Sequence, residues 1–340
     1  MKHTHRPFKR IMLASLAAAA VATLVTACAS PDDSAPAEEA GGLEGKTIAF
    51  LGYGDINPWG AAFNGDFTPA LEAEGVEVLD YTTMDPGTQV QNFNQAVAEE
   101  PDAIVVALVD TAAMVAPMKR AEAAGVPVIV FDGRPDPAVA DGEGVHQVLS
   151  GNQDLGRAAA QNIIEGLEAQ GKQEGNIIVI KGTGSMLLTQ DRLEGFYEVI
   201  DATDYTVVAE EDGNWDPTLS GTIASSLFSK FGAGGVDAAY GMADYMAVPI
   251  VEAAKQQSIP VGADGVIVTG SNCFKAGIES IRAGELYGTA TQDPGTLAAA
   301  MIDYTLSFLN GENPERVVTM DEQRVTTETV DTYAEQCSFA

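Results

Sequence analysis

A chain of 340 residues with 49 Asp and Glu against 18 Lys and Arg carries a formal charge of −31. Phosphate backbones and anionic lipid surfaces are held chiefly by Lys and Arg, so both are excluded as partners. The same acidity suits a solvated surface and by itself names no ligand.

In chain order, Lys2, Arg6, Lys9 and Arg10 precede an apolar run from Ile11 to Ala27, which ends at Cys28. A charged start, an apolar stretch shorter than the ~20 residues of a membrane span, and small residues before a cysteine are the marks of a lipoprotein signal. Residues 1–27 are therefore expected to be removed and Cys28 lipidated, which places the protein outside the bacterial cell membrane and anchored to it. The mature balance is then 14 basic against 49 acidic residues. Residues 28–45 have no apolar period and read as a disordered tether. The remaining length is too great for one typical core and predicts two domains.

Thr47–Leu51 reads as a strand, and Phe63, Phe67 and Leu71 follow on one helical face. Further short runs at Val76–Leu79, Ala103–Leu108, Val126–Phe131 and Val145–Val148 alternate with helical stretches, one closed by Gly125. The pattern then restarts: a helix over 153–170, strands at Ile177–Ile180, Tyr205–Val208, Ala238–Tyr240 and Val266–Val268, and a last helix opened by Asp293-Pro294. Such alternation predicts an α/β fold of two similar Rossmann-like lobes with parallel-type sheets. The lobes are expected at 46–150 plus 293–322 and at 151–292 plus 323–340, joined by three crossings near Ser150-Gly151, Gln292-Asp293 and Asp321–Val325.

Ligands of open parallel sheets sit beyond the carboxyl ends of the strands. There the chain places Tyr53, Asn57 and Trp59, then Asp132 and Arg134, then Arg192, Trp215, Asp244, Asn272 and Gln292. Planar polar groups with both tryptophans of the chain suit vicinal hydroxyls and the C–H face of a ring. Each residue also has a plainer use. The tryptophans suit a core, Asp132 a helix cap, and Arg192 an exposed pair with Glu194 or Asp191.

From about residue 46 onward the chain resembles the periplasmic sugar-binding proteins of ABC transporters, the ribose/galactose/xylose-binding group, of periplasmic binding protein type I fold. The likeness rests on Asn57-Pro58-Trp59, Phe131-Asp132, Arg192-x-x-Gly195-Phe196, Trp215-Asp216, Asn272 and Gln292. It implies a monosaccharide or related polyol held between two closing lobes, with Trp59 and Trp215 stacked on it. Asp132 and Arg192 would bond its hydroxyls, and Asn57, Asn272 and Gln292 would complete the shell. The partner it implies is an ABC permease. A sensor for a small furanose-like signal is the alternative. Ala243 stands where the ribose-binding type has Asn, Asn272 where it has Asp, and Gly133 separates Asp132 from Arg134, which points to a ligand with fewer or differently placed hydroxyls, or one carrying a deoxy position.

An enzyme is not expected. His146 is the sole mature histidine, and the chain has neither Gly-x-Ser-x-Gly nor a metal-spaced His/Cys cluster. A glycosidase needs only two carboxylates, which 49 acids supply by number alone. Gly52 and Gly54 lack the third glycine of a dinucleotide loop, so no cofactor is expected. Cys273 and Cys337 read either as one disulfide tying the tail to the body or as two free thiols. A monomer is expected.

Overall fold

Asn57 opens the first helix of the body: its Oδ1 accepts the backbone N–H of Trp59 and of Gly60, and Pro58 fits the first helical position. From there Trp59, Phe63, Phe67 and Leu71 recur four apart and are buried along the helix Pro58–Ala73. Phe63 stacks on Phe131 with ring centres 4.5 Å apart, and Phe50 lies 4.9 Å from Phe67, so this helix is fixed to the sheet by aromatic contact. These features belong to a computed structural model that describes residues 43–54 and 57–338. The signal, Cys28 and most of the tether lie outside the described residues. Leu43 is buried in the core, so the body extends at least to that residue.

Among the described residues twelve strands follow in chain order: β1 (Thr47–Leu51), β2 (Glu77–Asp80), β3 (Ala103–Val106), β4 (Val128–Asp132), β5 (Val145–Leu149), β6 (Gly175–Lys181), β7 (Tyr205–Asp212), β8 (Ala238–Gly241), β9 (Ile267–Thr269), β10 (Gly288–Ala290), β11 (Val317–Thr319) and β12 (Arg324–Thr326). They form two six-stranded sheets, ordered β2-β1-β3-β4-β5-β11 and β7-β6-β8-β9-β10-β12. All pairings are parallel except β10 with β12. β1, β3 and β4 are buried along nearly their whole length, as continuous apolar strands covered on both faces must be. The strand at Tyr205 runs on to Asp212, past the apolar run, because its outer half pairs Glu210 with Lys181 at 2.6 Å.

The helix Pro294–Leu309 follows β10 of the second sheet and packs on the helix Pro58–Ala73 of the first. The chain crosses between the lobes after β5, after β10, and between β11 and β12. At the crossings the Glu322 carboxylate accepts Gly151 N–H at 3.4 Å and the Thr291 hydroxyl at 3.1 Å, so one side chain links all three. Burial pushes that carboxyl up to about 7. Cys273 and Cys337 are paired, with Cα atoms 4.9 Å apart, within the ordinary disulfide range. Among the described residues no helix is long and apolar enough to cross a membrane.

Candidate functional site

Two close helix approaches set the site. In Arg192-x-x-Gly195-Phe196 the arginine faces the site, Phe196 enters the core, and Gly195 meets the backbone of Gln153 so closely that a Cβ would collide. Gly156 makes the reciprocal contact with the backbone of Arg192. The two glycines thus let the helices Asn152–Ala169 and Leu187–Ile200 touch, and fix where the guanidinium enters. Trp215 needs Gly182 for the same reason, since a Cβ there would lie inside the indole ring.

Between the carboxyl ends of the two sheets lies a narrow cavity, nearly filled by its own lining side chains. Its lining contains Tyr53, Asn57, Trp59, Asp132, Arg192, Trp215, Asn272 and Gln292. Asp132 accepts Gln292 Nε2–H at 2.6 Å, the Ser150 hydroxyl at 2.8 Å and the Tyr53 hydroxyl at 3.2 Å. Burial outweighs these donors and the Arg192 charge, and raises the Asp132 carboxyl above the usual carboxylate range. Arg192 donates to Asn152 Oδ1 (2.9 Å), the Met242 carbonyl (2.7 Å) and Gln292 Oε1 (3.2 Å). The rest of its fork stays available to a ligand. Its guanidinium lies 5.2 Å from the centre of the Trp215 ring. Both indole N–H groups are spent on the protein, Trp59 on the Gln292 carbonyl at 3.0 Å and Trp215 on the Met186 sulfur at 3.1 Å. The rings therefore offer a ligand only their apolar surfaces.

Asp132 (φ 66°), Trp215 (φ 60°), Asn272 (φ 84°) and Cys273 (φ 60°) adopt left-handed backbone at or beside this cavity. Such conformations cost on the order of 1–3 kcal/mol each and persist where surroundings over-determine them, most often at binding sites. Asp132 is held by its three donors and Cys273 by its pairing with Cys337.

A family model described as the periplasmic binding protein domain matches residues 48–313. The chain belongs to that family. Its members are binding proteins that work outside the cytoplasm. The D-ribose/D-allose-binding protein of Pseudomonas aeruginosa is 27% identical over 231 residues, 68% of this chain and 70% of that protein. The crystal structure of a galactofuranose binding protein superposes with a TM-score of 0.77 at 19% identity, over 86% of this chain and 98% of the other. A solute binding protein from Bacillus halodurans C-125 with bound myo-inositol gives 0.75 at 21% identity, over 86% and 98%. The last two likenesses speak for the fold.

Two residues expected in the site of this binding protein lie elsewhere. Arg134 does not line the cavity: its Nε and Nη2 donate to the Asp191 carboxylate at 2.9 Å each, across from the other lobe. Gly133 lies against Leu188 just after the left-handed Asp132, and the acid 57 residues on captures the guanidinium. Asp244 lies beneath the site, accepting the Phe274 N–H at 2.8 Å and the Thr289 hydroxyl at 2.7 Å, and thereby holds the loop that carries Asn272. Burial pushes its carboxyl up to about 7. Asn57 lines the cavity, but its oxygen is occupied as helix cap and by the Tyr245 hydroxyl at 3.4 Å, which leaves its Nδ2. Met186, Leu188 and Tyr245 complete the lining. They too follow strand ends, the signal that marks the others, but apolar residues opening a helix look like core.

Proposed function

We propose that this protein is an extracytoplasmic receptor that takes one monosaccharide or related polyol into the cleft and delivers it to an ABC permease. One observation carries the reading: two indoles that present only ring surface share a small cavity with the Asp132–Gln292–Arg192 network, whose members come from both lobes and a crossing. Ring faces take up the C–H surface of a sugar, and the network offers paired donors and acceptors to its hydroxyls. The names of the relatives, ribose, allose and galactofuranose binders and a myo-inositol complex, support the same ligand class.

In this reading the protein turns over no substrate, acts as a monomer, and is held at the membrane by a lipid on Cys28 after loss of residues 1–27. Cys273–Cys337 forms on export and braces the Asn272 loop. Thermal-shift screening of the mature protein against pentoses, hexoses, deoxysugars and polyols tests the ligand class. A cognate compound at 100 times its dissociation constant adds ~2.7 kcal/mol of stability. Unchanged melting with every member of the panel would refute the reading.

A further inference from the structure

The lining falls into two chemically unlike groups. In the first, Asp132 orients a chain of amides. Its carboxylate takes Nε2–H of Gln292, so Gln292 turns Oε1 toward Arg192 Nη2 and Asn272 Nδ2. Asn272, 3% exposed, is left with its Oδ1 buried and without a partner. A buried acceptor is costly to leave unpaired, and a hydroxyl donated by a ligand would satisfy it.

The second group is Met186 and Leu188. The Met186 sulfur already accepts the Trp215 N–H. Leu188 fills the space beside Asp132: a Cβ on Gly133 would come within 3.1 Å of it, so no side chain reaches in from that position. The guanidinium of the next residue, Arg134, is turned away to Asp191. The side chains of this part of the cavity therefore offer a ligand hydroxyl nothing, and would strip its water.

We infer that the ligand is a sugar with a deoxy carbon or methyl group lying against Met186 and Leu188 and a hydroxyl donated to Asn272 Oδ1, so that Met186 and Leu188 set the specificity. This rests on the sugar-receptor reading above. The test is calorimetric titration of the mature protein with matched pairs: D-galactose and D-fucose, L-mannose and L-rhamnose, D-ribose and 5-deoxy-D-ribose, L-arabinose and 5-deoxy-L-arabinose. In the pair that binds, the deoxy member is expected to be roughly tenfold to a hundredfold tighter, the penalty an apolar pocket sets on an added hydroxyl. Leu188→Asn and, separately, Met186→Gln should shrink that ratio toward one; a ratio unchanged in both variants overturns the assignment of these two residues. The wild-type pairs decide the ligand chemistry without any variant. Equal or tighter binding of the hydroxylated member overturns the inference and leaves the receptor reading standing. Binding of no sugar or polyol at all overturns both.

Discussion

Arg192 is fully buried and holds Asn152, the Met242 carbonyl and Gln292 in place. Arg192→Ala is therefore expected to cost on the order of 3–5 kcal/mol of stability as well as a hundredfold or more in affinity, because the partners are left unpaired. Titration calorimetry together with urea unfolding measures both losses, and wild-type affinity in the variant would refute the assignment. Asp244 gives a separate expectation. Its folded pKa of about 7 lies above the ~3.9 of an unfolded Asp, so between these values the folded state keeps a proton that the unfolded state has lost. Stability from this group falls as pH rises from about 4 to about 7 and is then level. Glu322, also raised to about 7, acts over the same window, so Asp244→Asn should lessen the slope of melting temperature with pH without abolishing it, and an unchanged slope would show that other groups set it. Asn57, Trp59, Arg192, Trp215 and Asn272 were legible in the sequence because each follows a readable strand and Asp132 because it ends one, whereas Gln292 follows β10, too short to read, and was marked by the family resemblance. Arg134 was not, since its partner Asp191 lies 57 residues away and only the folded chain shows which way the guanidinium turns.

At the scale of elements, the segment after β6 lies against the first lobe. The Ser185 hydroxyl donates to the Val109 carbonyl at 3.2 Å, Leu187 N–H to the Thr111 hydroxyl at 3.2 Å, and Arg134 pairs with Asp191 beside them. All are contacts across the cleft, so they stabilise the closed arrangement alone. Asp191 is largely buried but Arg134 is part-exposed, so the pair should contribute up to about 1 kcal/mol. Arg134→Ala is expected to weaken ligand binding by roughly fivefold or less, mostly through faster release, and raised salt should blunt the difference. Stopped-flow release rates in wild type and variant check this; identical rates would mean that the pair does not resist opening. The long strands and capped helices were readable from their period. β10, β11 and β12 have three residues each, too few to show a period, and their pairing is set by partners far away in the chain.

For the whole molecule, the proposed lipid anchor would set position through residues that precede the body. Cys28→Ala is expected to leave the protein unlabelled by fatty acid and either free of the membrane or unprocessed. Membrane fractionation after metabolic labelling checks it, and label retained in the variant would rule out Cys28 as the attachment point. The two lobes are also bound together in time. The first sheet is closed by β11 and the second by β12, and the helix Pro294–Leu309 that covers the first lobe is made only after most of the second. Until β11 and β12 have been made, β5 and β10 both present bare edges, which pair readily with other chains. A growing chain thus has no finished lobe to fall back on, and both must be completed within the same short stretch of synthesis. If the proposed signal directs the chain through a membrane unfolded, that delay is useful: the sequence would reach the translocation channel with neither half able to lock shut behind it.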